Sequence, residues 1–179
     1  KDGSQKEARV GREVIVSAGS VNSPQILELS GIGQPELLQR HGVQVCHALP
    51  GVGENLRDHY APRMKYEITA SGLTYNDKMR GIGTVLQALR YAMTGTGLLG
   101  LPAAPLRAYV CSRDGLASPD INISIVPFLV AEGFKLAKES GITVITHPLR
   151  SESTGSIHIG SPDSKSPPKI NFNFLTADY

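Results

Sequence analysis

The sequence predicts an α+β chain in two parts, and three patterns predict it. Glu13-Val14-Ile15-Val16 is a β-branched run leading through Ser17-Ala18-Gly19-Ser20 into a helix with glycine beyond its end, the order of a parallel-sheet unit. From Arg63 the pattern changes to residue-by-residue alternation, the mark of antiparallel strands with one solvated face. Between Asp77 and Met93, Ile82, Val85, Leu86, Leu89 and Met93 fall on one helical face. The division is expected near residue 60, with residues 1–60 as the end of a parallel unit and 61–179 as a mostly antiparallel sheet flanked by helices and incomplete at its C-terminus.

Lys6 to Val10 and Arg12 to Ser17 read as two strands joined at Gly11, or as one strand with a bulge. The Glu13 to Val16 run suits a strand buried on both faces, and the small residues after it let a large group approach the backbone. Ser23 reads as an N-cap, Pro24 as the first helical residue and Gly31 as the left-handed residue that closes a helix of about two turns. Gln34-Pro35-Glu36 opens a second short helix carrying Leu37 and Leu38, with Gly42 beyond it and an extended segment over Val43 to Leu49. Pro50 to His59 is a loop presenting Asn55, Asp58 and His59.

In the second part, Met64, Tyr66 and Ile68 alternate with Arg63, Lys65 and Glu67. The helix over Asp77 to Met93 is weakened at its start by Gly81 and Gly83 and ended by Gly95-Thr96-Gly97. Leu106 to Ser112, Asp120 to Pro127, Ile142 to Pro148 and Gly155 to Ile159 are further strands, and Val130 to Glu139 a short helix. In the second of these strands Ile121, Ile123 and Ile125 alternate with Asn122, Ser124 and Val126.

An apolar content of 40% in 179 residues is enough for an ordinary core. The formal charge of +2 comes from scattered Lys and Arg with no Trp, which gives no footing for a nucleic-acid surface. No run approaches the ~18 apolar residues of a membrane helix, so a soluble chain is expected, with a cytoplasmic location. Cys46 and Cys111 stand in no metal-ligand spacing and read as reduced, buried thiols. His41, His47, His147 and His158 have no mutual ligand spacing and read as solvated or hydrogen-bonded, so no metal site is assigned. The chain opens in the polar turn KDGSQKEARVGR and closes on LTADY, which reads as a piece of something longer.

Ser20 to Gly33, closing on Leu29-Ser30-Gly31-Ile32-Gly33, resembles the second signature of the glucose-methanol-choline (GMC) flavin oxidoreductases. The resemblance continues through Pro50 to Leu56, Asp58-His59, Thr96-Gly97-Leu98, Ser118-Pro119-Asp120-Ile121, Pro148 to Ser156, Pro167-Pro168-Lys169-Ile170 and Asp178, covering essentially the whole chain. It implies the end of a Rossmann-like FAD domain followed by an antiparallel-sheet substrate domain, with FAD as cofactor and a small-molecule alcohol as substrate. Such an enzyme takes a proton from the alcohol while a hydride passes to the flavin, which requires a base beside the hydroxyl. The family carries that base, a His paired with a second His or an Asn, C-terminal to the region matched here, so no catalytic residue is assigned. The Gly-x-Gly-x-x-Gly turn that receives the pyrophosphate lies near the N-terminus of such proteins, and nothing like it is expected in this chain.

The resemblance brings Ser17, Ala18 and Gly19 to the ADP half of FAD. The alternative is a tight turn with no ligand. Ser23 has a capping role or a cofactor contact to choose between, while Asn55, Asp58 and His59 either hold their own loop or lie beside the cofactor. Asn122 and Ser124 line a substrate cavity in this reading, and a solvated strand face explains them equally well. Choline-oxidising relatives place a Glu and a His where this chain has Ala61 and Ser124, so choline is not the expected substrate and a neutral alcohol is. Alternatives are an FAD-containing hydroxynitrile lyase of the same family and, for these residues alone, a non-catalytic module that retains no FAD. The chain by itself is expected to be inactive, and its oligomeric state is open.

Overall fold

The computed structural model describes residues 6–178. In chain order its elements are α1 (Gly19–Leu29), β1 (Ile32–Gly33), α2 (Pro35–Arg40), β2 (His47–Ala48), β3 (Glu54–Leu56), β4 (Arg63–Glu67), α3 (Tyr75–Lys78), α4 (Ile82–Thr94), β5 (Leu106–Val110), β6 (Ile121–Val126), β7 (Gly141–Pro148), β8 (Gly155–His158) and β9 (Lys169–Asn171). They fall into two compact units, one of the residues up to Asp58 with those from Glu152 onward, the other of His59–Ser151. The first break falls between Asp58 and His59. The C-terminal stretch from Glu152 differs from the expectation, because β8 and β9 pair with β3 of the first unit and not with the large sheet.

In the first unit, β1 and β2 form a parallel pair, joined by α2, and β3-β8-β9 form an antiparallel sheet. The core is Leu37 and Leu38 of α2 against Ile159, with Leu29, Val43 and Val45 around them. Helix α1 starts earlier than predicted. Ala18 is its N-cap and Pro24 lies inside it, so its eleven residues make about three turns. The cap expected of Ser23 operates from within the helix, its Oγ accepting the Ala18 N–H at 3.0 Å. Gly31 closes α1 as expected, at φ +80, and a Cβ there would stand 2.3 Å from the Gln44 carbonyl oxygen.

The strands expected over residues 6–17 are not formed. Val14 and Ile15 are 72% and 80% exposed. A parallel strand buried on both faces needs neighbours to pair with, and the described residues supply none at this place. Both cysteines are free and exposed, not buried as expected.

The second unit is built on the four-stranded antiparallel sheet β4-β7-β6-β5. Its strands match the predicted ones to within about two residues, since period-two alternation marks them directly. The single helix expected over Asp77 to Met93 is broken into α3 and α4 at Gly81, φ +51, and the apolar side chains of α4 at Ile82, Val85, Leu86, Leu89 and Met93 are exposed. The segment Val130 to Glu139 is not a helix. It holds a single 3₁₀ turn at Glu132–Phe134 and a bridge between Val130 and Leu136.

What fixes that segment is Asn76, fully buried in α3. Its Nδ2 donates to the carbonyls of Leu129 (2.9 Å) and Ala137 (3.0 Å), and its Oδ1 accepts the Leu129 N–H at 2.8 Å. Next to it Asp77 forms a capping box with Thr74 and accepts the Ser140 hydroxyl, contacts that hold its carboxyl below the ordinary value of 3.8, the Ser140 bond first. Replacing Asn76 by Ala removes three hydrogen bonds and leaves buried backbone groups unpaired. The expected loss is about 3 kcal/mol of unfolding free energy, read by denaturant titration; a change within ±0.5 kcal/mol would contradict this account.

Candidate functional site

The predicted cofactor residues of the first unit partly converge. A cavity of about 600 Å³ is lined by Ser20, Ser23, Pro24 and Leu27 of α1 and by Gly51 to Arg57, with Leu49 and Ile157. Ser23 and Asn55 therefore share one cavity. Ser17 and Ala18 lead into Gly19, the exposed first residue of α1 (φ +86), and a Cβ at Gly19 would meet nothing within 4 Å. Asn55 sits at φ +59, a left-handed conformation that Asn tolerates better than most residues, which turns its loop along the cavity. Asp58 ends this unit, outside the cavity lining, and His59 begins the other.

The loop is held by a packing constraint. Gly53 has φ +79, its carbonyl accepts the Ile157 N–H at 2.7 Å, and a Cβ on it would lie 2.2 Å from the Ile157 carbonyl oxygen. Only glycine fits where β3 approaches β8 so closely.

Glu54 of the cavity lining belongs to a network that the sequence reading missed. Glu28 of α1 is fully buried; its Oε2 accepts the Ile159 N–H at 2.7 Å and its Oε1 stands 2.7 Å from His158 Nδ1. The other ring nitrogen of His158 is 3.0 Å from Glu54 Oε1, which also accepts Gln34 Nε2–H at 2.6 Å. The available signal was Glu28 itself, the one charged residue of α1, set between Leu27 and Leu29. Its partners are about 130 residues away, beyond any local pattern.

In the second unit, Asn122 and Ser124 are buried, at 2% and 7% exposure, and the Ser124 hydroxyl donates to Asn122 Oδ1 at 2.7 Å. The solvated-face reading of these residues is therefore wrong. They lie on the covered side of β6, while Ile121, Ile123 and Ile125 on the opposite side are only half-buried. Cross-strand register gives this side Tyr109 and Arg107 from β5, His147, Ile145 and Thr143 from β7, and Arg63 and Lys65 from β4. The His59 and His147 rings stand 4.5 Å apart. Burial first, then the charges of His59 and Arg107, push the His147 imidazole below its ordinary 6.5.

The literal pattern Gly95-x-Gly97-x-x-Gly100 does occur in the chain, but in the wrong setting for a pyrophosphate. Gly95 is the left-handed cap at the C-terminus of α4, and a 3₁₀ turn follows. The carbonyl end of a helix repels an anion.

With this geometry in view, comparison with known proteins is decisive. A family model described as GMC oxidoreductase matches residues 1–61. The chain is 33% identical over 177 residues, 98% of its length, to the oxygen-dependent choline dehydrogenase of Chromohalobacter salexigens, and 36% identical over 167 residues to that of Photobacterium profundum. The chain belongs to the GMC oxidoreductase family. It spans 32% and 29% of the length of those two GMC relatives. Among solved structures, formate oxidase superposes at a TM-score of 0.81 with 25% identity, covering 94% of this chain and 34% of that one. An FAD-dependent oxidoreductase from Chaetomium thermophilum superposes at 0.73 with 17% identity, covering 97% and 36%, a likeness of fold. The architecture is thus the mixed helix-and-antiparallel-sheet one of GMC structures, and FAD is the cofactor that goes with it. Among the described residues no helix is long and apolar enough to cross a membrane, and no three His, Cys, Asp or Glu side chains are grouped as metal ligands.

Two measurements test the site's construction. Glu28→Ala strips His158 and the Ile159 N–H of their buried partner and is expected to cost about 3 kcal/mol of stability, with Glu28→Gln costing less; equal stability of all three proteins would refute the role assigned to the carboxylate. His147, followed by its imidazole NMR signals, is expected to titrate below 6.5. Because the folded form then binds fewer protons than the unfolded one, this residue's contribution disfavours folding as pH falls below 6.5 and vanishes above it, and Arg107→Gln shifts the titration upward.

Proposed function

We propose that the protein carrying this chain is an FAD-dependent oxidoreductase that oxidises the CH–OH group of an alcohol by hydride transfer to flavin. The observation that carries the reading is the cavity beside Gly19, with its small-residue approach and its mix of apolar walls and Ser20, Ser23 and Asn55, in a chain of GMC membership. Its size is that of a ligand pocket. Its polar lining is Ser20, Ser23 and Asn55 with one acid, Glu54, and one base, Arg57, a mix that offers hydrogen bonds to the nucleoside portion of the cofactor.

In this reading Ser17, Ala18 and Gly19 offer backbone to the ADP half, and Ser23 and Asn55 hydrogen-bond from the cavity wall. Asp58 and His59, which follow the Asn55 loop in sequence, are cofactor-adjacent in this reading. Bound FAD supplies the hydride acceptor. Asn122 and Ser124 offer hydrogen-bonding groups to the alcohol on a strand face shielded from water, where such groups orient a substrate more strongly than at an exposed surface. These residues include no assigned base, so the 179-residue chain alone is proposed to be inactive.

The relatives compared above are named as a dehydrogenase and an oxidase, which supports net redox chemistry and gives the hydroxynitrile lyase alternative no footing. Their names do not transfer choline to this chain. With Ala61 and Ser124 at the places noted, the groups suited to a trimethylammonium alcohol are missing. The test is anaerobic mixing of the FAD-loaded protein with a panel of primary and secondary alcohols. Loss of the oxidised flavin absorbance with at least one alcohol is expected, and none with any would defeat the proposal.

A further inference from the structure

The sheet face of the second unit that buries Asn122 and Ser124 at its centre carries, on its exposed edge strands, a charge pattern that the alcohol reading leaves unused. Arg63, Ile145, Ser124 and Arg107 are paired in register across β4, β7, β6 and β5, so they form a single row over the sheet with a guanidinium at each end. Adjacent strands lie about 4.8 Å apart, which puts Arg63 roughly 10 Å from Ser124 along the row, backbone to backbone. Lys65 is two residues from Arg63 on the same face, opposite Thr143.

A cavity of about 450 Å³ opens on this face, lined by Arg63 and Lys65 with Thr143, Ile145, Phe128 and Val130 among others. It has two cations in its wall and no carboxylate. Lys65 Nζ donates to the Val130 carbonyl at 2.9 Å, which orients the ammonium without neutralising it. Among the described residues, the ion pairs involve other groups, and none falls on Arg63, Lys65 or Arg107.

We propose that this face selects an anionic alcohol, a short hydroxycarboxylate, with its carboxylate held by Arg63 and Lys65 in the cavity and its hydroxyl end directed toward Ser124. The guanidinium fork of Arg63 matches a carboxylate in two parallel hydrogen bonds, Lys65 adds a point charge, and Arg107 adds positive potential from the far end of the row. A quaternary ammonium alcohol meets like charge on the same face, so the pattern excludes choline by repulsion as well as by the loss of its anchor. This inference rests on the alcohol-oxidising reading for the fate of the hydroxyl, but not for the binding of the carboxylate.

The test therefore separates the two. Isothermal titration of the FAD-loaded protein with butyrate, which cannot be oxidised at a hydroxyl, is compared with tetramethylammonium chloride at the same ionic strength. Butyrate is expected to bind and tetramethylammonium not to. Arg63→Gln and Lys65→Gln are each expected to weaken butyrate at least about tenfold, with Arg63→Lys intermediate, since it keeps the charge and loses the fork. Arg63 and Lys65 are both exposed in the chain, so the variants leave the fold in place, which circular dichroism verifies. In parallel, anaerobic flavin bleaching by 4-hydroxybutyrate and by 1-butanol is compared, and the ratio of their kcat/KM values is expected to favour the hydroxycarboxylate and to fall at least about tenfold in Arg63→Gln. Equal binding of butyrate and tetramethylammonium, or butyrate binding indifferent to both Gln variants, overturns the inference. Butyrate binding of the expected kind without bleaching by any alcohol upholds it and sinks the alcohol-oxidising reading alone.

Discussion

The buried carboxylate of Glu28 is the constraint on which the first unit depends. A carboxyl group with no solvent exposure is costly unless its oxygens are occupied, and here both are, by the Ile159 N–H and by His158. Helix α1 is thereby tied to β8, a strand from the far end of the chain, and His158 passes the connection on to Glu54 of β3 and so to Gln34 at the start of α2. The cavity walls that carry Ser23 and Asn55 are the two elements this network joins. Their spacing is set by hydrogen bonds as much as by the small apolar core of Leu37, Leu38 and Ile159.

The second unit is organised differently. In β6 the polar side chains Asn122 and Ser124 are on the buried side, and Ile121, Ile123 and Ile125 are on the side that is half open. Burying Asn122 and Ser124 is tolerable because they bond to each other, and the neighbouring Thr143 hydroxyl donates to the Phe128 carbonyl at 2.9 Å. A covered polar face is the place where a small molecule can be oriented by a few hydrogen bonds, which an exposed polar face does poorly because water competes.

The elements legible in the sequence were those whose signal is local. Strands β4 to β8 showed in alternation, α2 in its opening proline, and the end of α1 in Gly31. The start of α1 was misread because Ser23 and Pro24 carry capping chemistry that also works inside a first helical segment. The Val14 to Val16 run was misread because a buried parallel strand is defined by its neighbours and not by its own residues. Of the candidate residues, Ser23 and Asn55 were singled out through motif resemblance and line one cavity, whereas Glu28 with His158, and the row from Arg63 to Arg107, depend on pairings between distant segments. Polarity in β6 was visible, but its direction was not, since alternation gives two faces without saying which one is covered.

Helix α4 carries its apolar stripe on the outside, with Ile82 and Met93 each 77% exposed. A stripe of that kind behaves as an adhesive in water, and with the bare Val14 and Ile15 it gives these 179 residues two greasy surfaces of their own. Handled alone, such a chain draws chaperones and self-associates as concentration rises, so its practical solubility is set by what shields α4 and not by its charge or its core.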